Sequence, residues 1–529
     1  MTVSRARFGV LADPALWGAM LAVVFALPIA ALFALAASGD ATYLDHVAST
    51  RLPEFARNSA ALAVLAGLGA AIIGTTSAWL VTRFEFVGRK VLSWLLILPL
   101  AMPGYVAAYS WYALTSAGSR FEAVIGINFP TVTGLTGAAM VFAFTLYPYV
   151  YLLARNSFEA HGRLSWDVAR SLGAGPWTAF ARVSLPLTWP AIAAGTALVG
   201  MEVLADYGVA DFLGVTTLTV GIVRAWSSFS DPAAAAQLAV MLLFAALLLL
   251  GAERGARGRR QFSVSGQTDI RPVRVELSGL PSFLALIVCI LPVAVGLAIP
   301  TAQLIWLAIE TQPARSILPA IQGTAFLAFW SGLLAIVLGL TAAYALRRRN
   351  RIGTAAVRMV QAGYAIPGAV AAIAILSALA LLQSGLNQIG SGAIPLLTGG
   401  SILALLLAYQ TRFAAVAILP CETGLMKVRG DLDEAARSLG ARPREVVARV
   451  HVPLAASGIA TAGVLVAIEV MKELPATMIL RPFDLQTLAV TAHNYASDER
   501  LAQAALPALV LLAICMPATA ALNLLGGKK

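Results

Sequence analysis

Two long apolar runs carry carboxylates in the same frame: Glu202 and Asp206 in one, Glu469 and Glu473 in the other, each pair four residues apart and the pairs 267 positions apart. A spacing of four places both acids of a pair on one helix face. A charge near the centre of a membrane helix costs about 2.5–3.5 kcal/mol, so these acids are expected to face a bundle interior or its outer mouth. Glu202 stands 16 residues beyond Pro186, roughly 24 Å along a helix, which places the acids in the outer half of a membrane. Oxygen ligands suit a hard, highly charged cation such as Fe(III), and acids repeated in two halves would give it a negative passage. Hydrogen bonds between helices and a Glu469–Lys472 pair account for the same residues without substrate contact, and both readings stay open. Tyr105, Tyr109 and Tyr112 offer phenol oxygens, but an aromatic belt at the membrane interface explains them more simply.

No other chemistry is visible. The chain has no GxxxxGK[ST] loop to cradle nucleotide phosphates, no HExxH and no CxxC. Cys289, Cys421 and Cys515 are far apart, and His46, His161, His451 and His493 are scattered. The expectation is a chain that is not an enzyme and binds no cofactor of its own.

The elements that must position the acids are duplicated. Ala169-Arg170-Ser171-Leu172-Gly173-Ala174 recurs unchanged as Ala436-Arg437-Ser438-Leu439-Gly440-Ala441, again 267 positions on. Pro186 and Pro453 keep the register, Ser59-Ala60 parallels Thr324-Ala325, Gly74 parallels Gly339, and Pro103-Gly104 parallels Pro367-Gly368. The matched Pro-Gly pairs are candidate kinks. In the second copy Asp433 and Glu434 open a short helix that they stabilise through its dipole. Gly440 then suits a left-handed terminating residue. Pro443 starts a second helix that is expected to stop before Pro453. Helices this short are marginal alone, so the helix-turn-helix needs a partner to pack against.

These residues resemble the signature loop of binding-protein-dependent ABC transporter permeases: Glu-Ala-Ala, three residues, Gly, then an aliphatic pair and Pro. The second copy supplies Glu434-Ala435-Ala436, Gly440, Val450, Val452 and Pro453. The first supplies Asp167, Ala169, Gly173, Val183, Leu185 and Pro186, with Val168 in place of the first Ala. The resemblance implies that each loop seats in a groove on a cytoplasmic ATPase. It therefore implies two ATPase copies that carry ATP and Mg, and a periplasmic substrate-binding protein. Met471 through Thr477, with Leu480-Arg481-Pro482-Phe483 and Ala496 through Arg500, resembles ferric iron permeases of the fused, twelve-span form, so Fe3+ is the implied substrate. Permeases for thiamine, phosphonates, sulfate or polyamines share the loop but match that stretch less well.

Composition agrees with this class. The 529 residues are 59% hydrophobic and 12% charged, far from soluble composition. Twelve apolar stretches near 15–37, 58–82, 91–114, 131–153, 187–206, 233–251, 281–309, 322–346, 355–382, 396–419, 454–475 and 501–523 are each about long enough to span a bilayer. The first could pass for a secretory signal, but its length favours an uncleaved span. Six spans per half make two parallel repeats. The expected architecture is an all-α polytopic protein of the type I, methionine- and maltose-importer-like permease fold. Its parts are a first permease domain 1–251, a basic linker 252–280 and a second permease domain 281–529.

With both termini in the cytoplasm, the inner connections hold 29 of the 37 Lys and Arg and the outer ones seven. That is the positive-inside pattern, so the net charge of +11 calls for anionic lipid and not for nucleic acid. The expected place is a bacterial inner membrane. A secondary transporter coupled to an ion gradient through the four acids is the competing class, but it gives no reason for two elbow loops. A membrane scaffold without transport is a third. Alkaline phosphatase fused after Arg315 should be active and, fused after Gly440, inactive. The reverse pattern would overturn the orientation.

Overall fold

The computed structural model describes residues 14–39, 51–119, 122, 123, 126, 129–258, 274–310, 316–347, 351–388, 400–428 and 430–526. The first half runs α1 (Pro14–Ala37), α2 (Leu52–Arg83), β1 (Phe84–Glu85), α3 (Arg89–Leu95), α4 (Gly104–Thr115), α5 (Gly134–Ser171), α6 (Pro176–Ala179), α7 (Leu185–Ala205), α8 (Gly208–Phe212), α9 (Leu218–Ser227) and α10 (Pro232–Gly258). The second runs β2 (Val275–Glu276), α11 (Leu280–Val293), α12 (Ile299–Glu310), α13 (Leu318–Arg347), α14 (Arg351–Ala362), α15 (Gly368–Gln388) and α16 (Ile402–Met426). It continues with α17 (Gly430–Ser438), α18 (Pro443–Val446), α19 (Val452–Lys472), α20 (Pro475–Leu480), α21 (Leu488–Ser497) and α22 (Leu501–Gly526). Among the described residues ten helices are long and apolar enough to cross a membrane, and a bent pair makes an eleventh. The expected first span falls on α1. The protein is an all-α polytopic membrane protein.

Three expectations change in detail. A two-residue parallel ladder pairs Phe84 with Val275 and Glu85 with Glu276, so the described residues include a small strand contact among the helices. It lies at the end of the segment 252–280, of which 252–258 extends α10 and 259–273 falls outside the described residues. Glu85 anchors it through Arg89 at 2.9 Å and Arg274 at 3.8 Å. Arg412, counted above with the inner connections, sits within α16 and is buried. Finally, the helix after each elbow does not stop before its proline. It widens into a π-turn, Phe180–Ser184 or Val447–His451, and continues as α7 or α19. A proline ring collides with the carbonyl four residues back in a regular helix. The wider turn, with Leu185 N–H bonded to Phe180 O and Val452 N–H to Val447 O, carries the chain past Pro186 and Pro453.

The Pro-Gly pairs break both halves. Pro restricts the preceding residue to extended backbone, and Met102 (φ −78°, ψ 115°) and Ile366 (φ −75°, ψ 118°) obey. In the first half the segments Arg89–Ala101 and Gly104–Thr115 meet at 94°.

The compact units are not contiguous in sequence. One comprises residues 1–44, 222–243 and 317–490, the other 45–221, 244–316 and 491–529. In the former, α1 packs on α13, α14 and α15, with Phe25 in a core of Ala342, Ala345, Val357, Val360, Ala414 and Ile418. In the latter, α12 packs on α4 and α22. Each half therefore sends its first span to the other half's helices.

Within each unit one paired feature closes the helices. Ser59 Oγ accepts from Leu218 N–H at 2.9 Å, and Thr324 Oγ1 accepts from Leu488 N–H at 2.8 Å. Both hydroxyls thus satisfy the first amides of a short helix. Gly74 lets α2 approach α5, where an added Cβ would meet Tyr151 N and Val150 Cβ at 2.8 Å; Gly339 does the same for α13 and α16 against Ala417 O at 3.0 Å. Gly74→Leu should lower the thermal midpoint of the purified protein by several degrees, because overpacking costs about 1–3 kcal/mol. Gly255→Leu, where nothing lies within 4 Å, is the control; equal midpoints would refute the close approach.

Candidate functional site

The two elbows are built on the same geometry. Gly173 and Gly440 have φ of +84° and +81°, and nothing lies within 4 Å of a Cβ added to either. Backbone conformation alone therefore demands glycine there, since an L side chain in this region costs about 1–2 kcal/mol. At the second elbow Ala441 N–H bonds to Ala436 O at 3.1 Å, the closing bond of a Schellman motif. Glu445 Oε2 then accepts from Arg442 N–H at 2.8 Å to open the next helix. Glu434, Ala435, Gly440 and Pro453 are exposed, and Ala436 is half-buried. In the first copy Asp167 and Ala169 lie on the last turns of α5, with side chains outside the described residues. Gly173 and Pro186 are exposed. The copies differ in how the first limb forms: it is the continued end of the 38-residue α5 in one and the separate nine-residue α17 in the other.

The elbow tips carry apolar side chains that the motif pattern does not single out. Leu172 is 82% exposed and Leu439 88%. They occupy the same place in the repeated hexapeptide, immediately before the left-handed glycine. At these exposures neither leucine packs into the interior of the chain. The signal in the sequence is the identity of the two copies at a position that a solvated turn would fill with a polar residue.

The four acids separate into two kinds. Asp206 and Glu473 follow the last residues of α7 and α19 and cap the short helices beyond. Asp206 Oδ1 accepts from Val209 N–H at 2.8 Å. Glu473 is buried and accepts from Ala476 N–H at 3.1 Å, Thr477 N–H at 3.0 Å and the Thr477 hydroxyl at 2.9 Å. Gly368 leaves room for that carboxylate, for a Cβ there would collide with Glu473 Oε1. Glu202 is half-buried on α7, and Glu469, also half-buried, pairs with Lys472 at 3.1 Å. Glu202 and Asp206 belong to one compact unit, Glu469 and Glu473 to the other.

Tyr105 and Tyr109 are inside their unit, 3% and 2% exposed, and so do not form the lipid-facing belt expected of them. Tyr109 Oη lies 2.7 Å from His493 Nδ1. Burial pushes the His493 pKa below its ordinary value, against the opposing pull of Asp211 3.8 Å from Nε2. Tyr109 faces Nδ1 and Asp211 faces Nε2. The two partners occupy opposite ring nitrogens, so they do not converge on one ion. Among the described residues no group of three or more His, Cys, Asp or Glu could hold a metal.

Comparison with known proteins matches this architecture. The Fe(3+)-transport system permease protein FbpB 2 of Haemophilus influenzae is 24% identical over 94% of this chain and 96% of its own length. The sulfate transport system permease protein CysT of Escherichia coli is 31% identical over 43% of this chain and 85% of its own. The molybdenum transport system permease protein ModB of Escherichia coli is 33% identical over 26% and 60%. Residues 63–254 and 335–528 each match one family, and the two matches contain both elbows and both acid pairs. The chain belongs to the family of binding-protein-dependent transport system inner membrane components.

Proposed function

We propose that this chain forms the path for ferric iron in an ATP-driven importer, with two copies of a cytoplasmic ATPase docked on the elbows 164–186 and 431–453. A periplasmic protein delivers the ion, both termini face the cytoplasm, and ATP and Mg reside in the ATPase. The observation that carries the ATPase reading is the pair of matched elbows, each with a left-handed glycine and an exposed leucine at its tip. Such a tip offers a partner a rigid apolar knob whose burial adds about 25 cal/mol per Å².

Mechanically, each elbow is continuous with a membrane helix. The π-turns pass the chain from elbow to α7 and α19 without an interruption. Each of these helices has 21 residues, about 30 Å at ~1.5 Å per residue. At their far ends sit the capped breaks at Asp206 and Glu473. A displacement of the elbow is thereby delivered to the point where the helix changes direction. In this reading Glu202 and Glu469 face the passing cation, and Asp206 and Glu473 hold the turns that shape its path.

Iron is favoured over other cargoes because the iron permease matches along nearly the whole fused chain, while the sulfate and molybdenum permeases match in part. An oxyanion is the second reading, supported by the higher identity of those partial matches. It would draw no benefit from the carboxylates.

Gly173→Pro combined with Gly440→Pro, which cannot adopt positive φ, should leave membrane insertion intact and reduce co-purified ATPase at least fivefold. Full retention of the ATPase would refute the docking assignment. Glu202→Gln with Glu469→Gln should slow uptake of radioactive ferric iron severalfold while the ATPase stays bound. Uptake of sulfate or molybdate in place of iron by the native complex would overturn the cargo, and unaltered iron uptake by the double variant would leave the acids structural.

A further inference from the structure

The second elbow is tied to the membrane helices by a polar joint. His451 ends the π-turn at the foot of α19 and is 6% exposed. Its Nε2 lies 2.6 Å from Asp433 Oδ1 on α17, and its Nδ1 lies 2.6 Å from Tyr344 Oη in the last turn of α13. The Tyr344 and His451 rings also stack, with centroids 5.7 Å apart. Arg347, one turn further along α13, donates to the second Asp433 oxygen at 3.1 Å and to Val428 O at 3.2 Å. One imidazole therefore joins both limbs of the elbow, α17 before the turn and the π-turn after it, to a third helix. With Nε2–H donated to Asp433, Nδ1 is left to accept from the Tyr344 hydroxyl, so both ring nitrogens are satisfied. A hydrogen bond to a carboxylate is shorter and stronger than a neutral one. The half-buried surroundings, with Asp433 19% exposed at its side chain, raise that strength further.

The first elbow is held by different chemistry. At the repeat spacing Ser184 stands where His451 does, Trp166 where Asp433 does, and Trp79 where Tyr344 does. Ser184 carries a short hydroxyl where the second elbow has a ring with two nitrogens. Instead the buried Trp79 ring packs 5.1 Å from Trp177 and 4.5 Å from Phe180, on α6 and its π-turn. Ring packing of this kind resists separation but is weakly directional, whereas the His451 joint fixes an angle through hydrogen-bond geometry.

We propose that His451 is a positioning residue of the second elbow, holding α17 at a set angle to α19 through Asp433 and Tyr344, in a joint that the first elbow replaces with packed rings. The proposal rests on the elbows being the ATPase contacts and adds that they are braced unequally. An ATPase pushing on the second elbow moves α17, α13 and α19 as one body. Without the joint, α17 swings on its glycine turn and the push is lost before it reaches α19.

The test uses the full chain in lipid nanodiscs and the variant His451→Phe, which keeps a flat ring against Tyr344 and deletes both bonds. Amide hydrogen exchange over 430–438, measured without the ATPase, should accelerate at least tenfold while α13 and α16 stay protected. With the ATPase bound and ferric iron presented on the binding protein, iron taken up per ATP hydrolysed should fall at least threefold. Unchanged exchange over 430–438 would overturn the joint. Faster exchange with an unchanged ratio would overturn its positioning role. If His451→Phe does not accumulate, Tyr344→Phe removes one oxygen, keeps the ring, and should give a smaller acceleration of about threefold, no acceleration again counting against the joint. The exchange measurement needs neither ATPase nor iron, so it stands or falls separately from the docking assignment, which is read by ATPase retention in the Gly440→Pro chain.

Discussion

In hydrocarbon a backbone amide has no water to bond, and each unsatisfied group costs several kcal/mol. The paired features of this chain are answers to that constraint. At four matched helix starts a side chain supplies the missing partner: Ser59 and Thr324 for α9 and α21, Asp206 and Glu473 for α8 and α20. At Pro186 and Pro453, where the ring removes an amide, the helix widens by one residue and goes on. Because these answers sit at matching positions in both halves, the breaks themselves match. A membrane helix that ends at a satisfied cap can change direction without exposing its backbone, as a gated path requires.

Outside those positions the halves have diverged in chemistry while keeping shape. The Tyr109–His493–Asp211 group has no polar counterpart, since Ile373, Val223 and Met478 occupy the corresponding places. The elbow braces differ in the same way, polar at one and aromatic at the other. Duplication fixes where a contact must exist and leaves its chemical kind open. Packed rings brace the first elbow against α2, and a hydrogen-bonded imidazole braces the second against α13.

Much of the architecture is legible without coordinates because it follows from local rules. Apolar length marks the spans, Pro-Gly marks the breaks after Met102 and Ile366, and the glycine of the repeated hexapeptide marks a left-handed turn. Elsewhere the long-range packing overrides those local rules. Pro453 is a helix stop by propensity, yet the chain passes it through a π-turn because α19 must continue into the bundle. Arg412 belongs to a basic connection by position but is buried within α16. Tyr105 and Tyr109 fit an interface belt by composition and lie inside instead.

By itself the sequence determined the class of solvent, the duplication and the two elbows, since each depends on residues within a few turns of one another. Only the tertiary structure decided that the first span of each half packs on the other half's helices, and which acids cap turns. It alone brought the scattered His451 between Asp433 and Tyr344, 18 and 107 residues away. The physical reason is the same in each case. A hydrogen bond or a packed face depends on distance in space, and between helices of similar apolar composition many pairings satisfy the sequence pattern equally well until the chain has closed upon one.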